Sequence, residues 1–411
     1  MNDNNPGTHP SAPNLKWTVL AVLLLAYFAG NYMQYQLSPI SQEIMQTYSI
    51  TSAMFSKVFS APMIPAVLFS LVSGILTDRI GAKPVIGFSL IITAAGSILR
   101  FFSTTYSALF LSMVMIGVSA AVMNANGVKV LSGSVPKEKI GFFTGIVLTS
   151  STLAMTLGAG TTSLFPSLKS VYLTAVILGI ASAVLWFIFA ENTVPVPETV
   201  SSTSVLASLK EAVRHPSVWL AGISLFFVIA CLIGISSFMP LALAGRGMDT
   251  VTAGSYTAVF TAGNMVGSFV SPAIDQIWRH TTAQILILLL TLGLGTAFAW
   301  CIPSGFFLFL VLLLAGIGVG GNVPLLMSMP LRSGEFTPEN AGIAGGIVST
   351  LQLLGAILLP SYIIAPIAGD DLPLFFIITG SLIAIPFVID LIAFFRISPG
   401  KKYKQTAEKR H

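Results

Sequence analysis

The chain has 411 residues, of which 54% are hydrophobic and only 9% are charged, and its mean hydropathy is +0.87. Soluble domains carry about 25% charged residues, so this composition excludes a soluble protein and places most of the chain in lipid. The net charge of +5 does not indicate nucleic-acid binding, because most of the cations fall in predicted loops and in the C-terminal tail.

Apolar runs of membrane length follow one another along the chain, and a membrane-spanning helix needs about 20 such residues. We therefore predict an all-α membrane protein with twelve spans in two six-helix bundles, 17–190 and 218–396. The remaining segments are a polar N-terminal tail (1–16), a linker (191–217) and a basic C-terminal tail (397–411). The predicted spans are 17–38, 55–77, 84–102, 107–131, 142–164, 170–190, 218–243, 251–274, 282–301, 306–331, 341–365 and 374–396.

The distribution of cations predicts the orientation in the membrane. Of the 20 Lys and Arg residues, 15 fall on the side that holds both termini, and Lys129 lies within a span. The other four, on the opposite side, are Lys57, Arg100, Lys169 and Arg246. Cytoplasmic segments carry the excess of Lys and Arg, so both termini are predicted to be cytoplasmic, in a cell inner membrane.

The two bundles repeat each other. Residues 51–61 resemble residues 252–262, and residues 141–149 resemble residues 342–350, in both cases at a separation of 201. This pattern indicates two parallel halves related by an axis along the membrane normal, an arrangement that places a substrate site between the halves.

A short polar loop between spans 2 and 3 carries the most specific motif. It reads G-x-L-x-D-R-x-G-x-K and is formed by Gly74, Leu76, Asp78, Arg79, Gly81 and Lys83. It resembles the signature loop between helices two and three of the major facilitator superfamily of secondary transporters. The resemblance implies that Gly74, Asp78, Arg79, Gly81 and Lys83 form a conformational gate, which latches the two halves on the cytoplasmic side.

Polar side chains inside membrane spans are costly and usually face a bundle interior or a water-filled cavity. In the superfamily, helices 1, 4, 7 and 10 line the pathway most closely, and helices 2, 5, 8 and 11 lie behind them. We therefore predict a polar, largely uncharged cavity, although each of these residues has hydrogen bonding between helices as its alternative role. The candidates are Asn31, Gln34, Tyr35, Asn124, Asn322, Tyr256 and Gln352.

Two cations, Lys129 and Arg332, occupy nearly equivalent positions in the two halves. Facing one cavity they would attract an anion, and the alternative is that both extend toward anionic headgroups. Lys57 is interpreted as an anchor at the membrane interface, with an outer-vestibule cation as the alternative. Nitrate and nitrite carriers of the superfamily have an arginine deep in helices 2 and 8, and this chain departs from that pattern.

Carboxylates are scarce within the spans. Spans 1, 4, 5, 7, 8, 10 and 11 carry no mid-membrane Asp, Glu or His, so proton coupling through such groups is not supported. Asp390, near the end of span 12, is predicted to form an interfacial ion pair with Arg396.

The sequence offers no chemistry for an enzyme. It contains no H-E-x-x-H, G-x-S-x-G or phosphate-binding loop, and its two cysteines, Cys231 and Cys301, lie in apolar runs. We expect no cofactor, no metal and no nucleic-acid partner, and a monomer in the lipid bilayer. The predicted function is transport of a small solute by rocker-switch alternating access, favouring a small organic anion or metabolite by exchange or uniport. The alternatives are efflux of amphipathic drugs and, more remotely, a sensor that does not transport.

Overall fold

The computed structural model describes residues 16–132, 135, 139–190, 210, 212–332 and 338–393, and these residues include helices but no β-strand. They form twelve helical spans, as the predicted fold class requires. Spans 1–6 are Trp17–Tyr35, Ser52–Ser60 with Met63–Ile80, Ala82–Phe102, Tyr106–Ser132, Ile140–Thr161 and Leu168–Phe189. Spans 7–12 are Pro216–Ala244, Thr250–Trp278, Thr281–Phe298, Phe306–Met327, Pro338–Leu358 extended to Ala368, and Leu372–Ser381 with 384–393.

Span 8 differs from the other spans in composition. Ten single helices, and the two-part span 2 as an eleventh, are long and apolar enough to cross a membrane, and Thr250–Trp278 does not reach the same hydropathy. It has 29 residues, so at 1.5 Å per residue it is about 43 Å long and still reaches across a bilayer. Its Thr, Ser and Asn side chains and its glycines suit contact with neighbouring helices better than contact with lipid.

The direction of the spans divides the molecule into two faces. Residue 16, residue 393, Gly81 and Arg279 lie at the ends of spans on one face, which we call the terminal face because both ends of the described chain lie there. The short helix Ser41–Tyr48 and the turns at 103–105, 245–249, 302–305 and 369–371 lie at what we call the opposite face.

Spans 8 and 10 pack backbone against backbone. A Cβ atom added at Gly316 or Gly320 in span 10 would collide with the carbonyl oxygens of Phe260 and Asn264 in span 8. A Cβ added at Gly263 in span 8 would collide with the backbone of span 10 in return. Small residues allow such close approach in lipid, where packing rather than the hydrophobic effect holds helices together.

Span 2 is broken into two helices that meet at an angle of 42°. Pro62 follows the first helix, and because proline has no backbone N–H the helix cannot continue normally through it. At the break, the carbonyl oxygen of Phe59 accepts a hydrogen bond of 2.9 Å from the Gln34 side-chain amide of span 1. Gly117 of span 4 lies directly against Pro62, so the break is also held by packing.

Candidate functional site at the interface between the halves

Buried serine hydroxyls join spans 1–6 to spans 7–12 at the opposite face. Ser361 of span 11 lies 2.9 Å from the Ser56 hydroxyl and 2.8 Å from the Ser60 hydroxyl, both in span 2. Ser52, one turn before Ser56, donates a 2.8 Å hydrogen bond to Asp370. The spacing of four residues places the three span 2 serines on one face of the helix Ser52–Ser60. We call Ser52, Ser56, Ser60, Ser361 and Asp370 the serine seal.

An aromatic layer lies next to the serine seal. Its rings belong to Tyr35, Phe55, Phe59, Phe238 and Phe375, all of which are 0–1% exposed. The Phe55 and Phe238 centroids are 6.0 Å apart, and this contact crosses from one half to the other. Phe238 packs in turn on Phe375 at 4.7 Å. The layer therefore excludes water from the interface at the opposite face.

A cation–π contact also joins the halves beside the serine seal. The Lys57 ammonium of span 2 lies 4.8 Å from the centre of the Tyr362 ring of span 11. Ser38, just after span 1, donates a very short hydrogen bond to the Ser236 carbonyl oxygen of span 7. The side-chain hydrogen bonds that Ser38, Ser52, Ser56, Ser60 and Ser361 make between the two halves all lie toward this face.

The three candidate residues of span 1 have different surroundings. Asn31 is only partly buried, and its amide donates to the Tyr27 carbonyl oxygen of its own helix at 2.9 Å. Gln34 is buried, and its side-chain amide is bonded to the Phe59 carbonyl oxygen at the break in span 2. Tyr35 belongs to the aromatic layer, and its hydroxyl and that of Ser236 have no hydrogen bond of normal geometry among the described residues. Asn31 is thus the best placed of the three to meet a solute.

The candidates in spans 4, 10 and 11 include buried and exposed amides. Asn124 is exposed, whereas its neighbour Asn126 is buried and donates to Ser73 of span 2 at 3.3 Å. Asn322 is fully buried and donates to the Gly318 carbonyl oxygen at 2.7 Å. The side-chain oxygens of Asn322 and Gln352 are buried without a hydrogen-bond partner among the described residues. Such atoms require water or a solute as a partner.

Tyr256 lies away from the interface between the halves. Its hydroxyl accepts a 2.9 Å hydrogen bond from the Gly305 N–H, in the turn before span 10. Gly305 has a φ of 140°, a backbone conformation that favours glycine. An open pocket of about 580 Å³ surrounds Tyr256, and all the residues that line it belong to spans 8 and 10 and the Gly305 turn. The contacts of Tyr256 are therefore those of a residue that holds this turn.

The signature loop is a tight connection between two helices. Span 2 continues as a helix to Ile80, span 3 begins at Ala82, and Gly81 between them has a φ of 92°. A residue with a side chain would be strained at that φ, which explains the glycine of the motif. Arg79 is exposed, and the Lys83 carbonyl oxygen accepts a 3.0 Å hydrogen bond from the Trp186 indole of span 6. The surroundings of Gly74 and the side chain of Asp78 lie outside what the structure describes.

Arg100 is a buried cation whose place in the sequence predicts only a charge on the opposite side. It is fully buried, donates 2.7 Å and 2.9 Å hydrogen bonds to the Met33 carbonyl oxygen and to the Gln36 side chain, and lies 5.0 Å from the Tyr172 ring. Met33 is in the last turn of span 1, where the partial negative charge of the helix end favours a cation. Arg100 of span 3 thus holds the end of span 1 in place.

Asp390 is buried within the protein, and its predicted ion pair with Arg396 stays a prediction. It is 1% exposed, and the hydroxyl of Ser224 in span 7 donates a 3.0 Å hydrogen bond to it. Arg396 lies outside the described residues. The periodicity of span 12 turns Asp390 toward span 7, because a lipid-facing carboxylate would be more costly than one with a hydroxyl donor.

A sequence model of one family matches residues 20–360, which is most of the chain. The chain belongs to the Major Facilitator Superfamily. Membership confirms the family resemblance and the fold class read from the sequence, and it agrees with the prediction that the chain is a multi-pass membrane transporter rather than an enzyme.

Relatives within the superfamily include carriers of small anions. The chain is 26% identical to a probable nitrate transporter of Staphylococcus epidermidis over 384 residues, which cover 90% of this chain and 95% of that protein. It is 24% identical to a nitrite extrusion protein of Bacillus subtilis, over 83% of this chain and 85% of that protein. The fold resembles the nucleoside transporter NupG with a TM-score of 0.77 and 14% identity, over 93% of this chain and 100% of that one.

The superfamily fold brings spans 4 and 10 to equivalent places in the two halves, but it does not locate the two predicted cavity cations. The side chains of Lys129 and Arg332 lie outside the described residues. Among the described residues, no group of three or more His, Cys, Asp or Glu side chains has the arrangement of a metal site.

Proposed function

We propose that the protein moves a small anion across the membrane by alternating access, through exchange or uniport. The observation that carries this proposal is the serine seal, in which Ser361 joins the two halves through neutral hydroxyl contacts with Ser56 and Ser60. Hydrogen bonds of this kind average about 0.6 kcal/mol each in membranes, so the contacts of Ser361 are weak enough to open and close during a transport cycle.

The preference for an anion rests on charge and on the relatives. Nitrate and nitrite are named for two relatives that match most of the chain. Yet span 8 contains no Lys or Arg, and span 2 has only Lys57 before its signature loop. The cations available to hold an anion are therefore Lys57, Lys129 and Arg332. This departure favours a small anion, such as a carboxylate, over strict selectivity for nitrate.

The proposed orientation places both termini in the cytoplasm of a cell with an inner membrane, and the protein acts as a monomer. The excess of Lys and Arg on the terminal face supports this orientation. In it the signature loop lies on the cytoplasmic side, where Gly74, Asp78, Arg79, Gly81 and Lys83 act as the gate that latches the halves. The structure then has its opposite, external face closed.

The experiment is uptake into liposomes that contain the purified protein, combined with thermal stabilisation in detergent. Nitrate, nitrite, small carboxylates and cationic amphipathic drugs are compared, because a ligand that binds only the native fold raises its apparent stability. We expect carboxylates or the inorganic anions to stabilise the protein and to be transported, and Lys129→Ala or Arg332→Ala to abolish both effects. Lys139→Ala removes an exposed cation at the terminal face and is the matched control.

A different pattern of results would contradict the proposal. If only cationic amphipathic compounds stabilise the protein and both substitutions leave that effect intact, the protein is a drug efflux transporter. Transport of no compound by well-folded protein would favour the sensor alternative.

A further inference from the structure

Lys57 lies at the boundary between the halves, on the helix Ser52–Ser60 that carries the serine seal. Its ammonium contacts the ring of Tyr362, and the residues next to each of these, Ser56 and Ser361, are bonded to each other. The cation–π contact and the serine seal therefore belong to one contact between spans 2 and 11. Neither can persist if these two helices separate at the opposite face.

The positive charge of Lys57 is not neutralised where it lies. No carboxylate of the described residues lies within ion-pair distance of Lys57, and Asp370, the carboxylate of the serine seal, accepts its hydrogen bond from Ser52 instead. A tyrosine ring attracts a cation through its quadrupole and carries no net charge. Tyr362 thus shields the ammonium sterically while the full charge remains.

Separation of spans 2 and 11 changes the exposure of this charge. In the closed arrangement Lys57 is partly buried under Tyr362, at the edge of a dry aromatic layer. In an arrangement open at the opposite face, the surface of span 2 that contacts Ser361 and Tyr362 borders the water-filled entrance. A cation between low-dielectric walls concentrates anions near it.

We propose that Lys57 is the residue that draws small anions into the entrance at the opposite face, and that Tyr362 covers it whenever that face is closed. This assignment rests on the proposed anion transport and gives it a point of entry. It also places a cation in span 2 at the mouth of the pathway rather than deep inside it. The alternative role of Lys57, as an anchor in the membrane interface, predicts a different result in the following test.

The test measures local charge with thiol reagents and needs no knowledge of the substrate. Ser60→Cys is introduced into a Cys301→Ser background, because Cys301 is the exposed cysteine and Cys231 is buried. Membrane-impermeant sulfonate-bearing and ammonium-bearing methanethiosulfonates are applied from the opposite face at low ionic strength. The ratio of their reaction rates reports the electrostatic potential at position 60 when the entrance opens.

We expect the anionic reagent to be preferred and Lys57→Gln to lower the rate ratio about fivefold, the effect of one charge some 8 Å away in water. Lys57→Arg should keep the preference. Lys169→Gln is the matched control, since it removes an exposed cation on the same face, far along the chain from spans 2 and 11. It should leave the ratio unchanged. Equal changes in Lys57→Gln and Lys169→Gln, or no change in either, overturn the proposal in favour of the interface anchor.

Nitrate and carboxylate uptake by the same variants separates this inference from the proposed function. Lys57→Gln should raise the KM for uptake from the opposite face several-fold with little change in maximal rate. If the wild type transports anions and the rate ratio does not depend on Lys57, the inference fails and the proposed function stands. If the ratio depends on Lys57 but no anion is transported, the proposed function fails.

Discussion

Two interfaces of this transporter are built in opposite ways. Spans 8 and 10 meet through glycines, with the backbone of one helix against the backbone of the other. Spans 2 and 11 meet through hydroxyl groups, an ammonium and aromatic rings. Both interfaces are buried, but only the second contains hydroxyl and ammonium groups that can form hydrogen bonds with water once the helices separate. The first is suited to a permanent contact inside one half, and the second to a contact between halves that opens.

The same contrast applies within the first half. Arg100 joins spans 1 and 3 through two charged hydrogen bonds, which are stronger than those of neutral hydroxyls. The contacts between the halves at the opposite face include one cation, and its partner there is a ring rather than a polar group. The buried guanidinium thus makes its strong bonds within one half, whereas the contacts between halves include a cation–π contact, neutral hydroxyl bonds and one hydroxyl–carboxylate bond, from Ser52 to Asp370.

The largest effect is expected from Gly320→Ala in span 10. The added methyl group would collide with the Asn264 carbonyl oxygen, and overpacking of this kind costs about 3 kcal/mol. We expect a strong loss of folded protein, measured by size-exclusion chromatography and thermal melting in detergent. Gly346→Ala in span 11 adds the same methyl group where no atom lies within 4 Å, and should be tolerated. If both variants fold equally well, spans 8 and 10 can move apart enough to accommodate the added methyl group.

A smaller loss of stability, about 2 kcal/mol, is expected from Arg100→Met, because the Met33 carbonyl oxygen and the Gln36 side chain lose their donors. The melting temperature should fall. That of Arg100→Lys should lie between those of the wild type and Arg100→Met, because a single ammonium cannot reproduce the guanidinium fork. Arg246→Gln, at an exposed arginine bonded to the Trp300 carbonyl oxygen, is the control. An unchanged melting temperature in Arg100→Met would mean that the stabilisation from these hydrogen bonds does not exceed the free-energy cost of burying the charge.

Ser361→Ala should change the conformational equilibrium more than the stability. It removes the hydroxyl contacts with Ser56 and Ser60, about 1 kcal/mol in favour of closure, so the open state should become about fivefold more populated. The measurement is the labelling rate of Ser236→Cys, a buried position at the interface, in a Cys301→Ser background. Ser268→Ala, which loses a hydroxyl bonded only to its own helix, should not alter that rate. Faster labelling in both variants would contradict a specific role for Ser361.

The smallest effect on stability is expected from Asn31→Leu, within about 0.5 kcal/mol, since its amide bonds only its own helix. If Asn31 contacts the solute, the KM for transport should nevertheless rise. Gln34→Leu should show the reverse, a lower melting temperature with a smaller change in KM, because it frees the Phe59 carbonyl oxygen. If the melting temperature and the KM change in the same way in both variants, Asn31 and Gln34 do not differ as pathway and structural residues.

Local motifs and repeats in the sequence predict the corresponding parts of the structure. Gly81 is identified by its motif and has the positive φ that the motif requires. Span 8 is too polar for a hydropathy criterion, yet its repeat in span 2 identifies it. Sequence patterns do not predict a side-chain contact that depends on the rotation of a neighbouring helix. Neither the bond from Gln34 to Phe59 nor the burial of Arg100 is encoded in spacing, because both arise from how separate helices pack.

The break in span 2 divides that helix into parts with separate attachments. The nine residues of Ser52–Ser60 are bonded to span 11, whereas Met63–Ile80 leads to the signature loop. Since no continuous hydrogen-bond ladder stiffens the junction at Pro62, the short segment can tilt without carrying the rest of the helix with it. In the proposed alternating-access cycle, this nine-residue segment would move relative to span 11 separately from the rest of span 2.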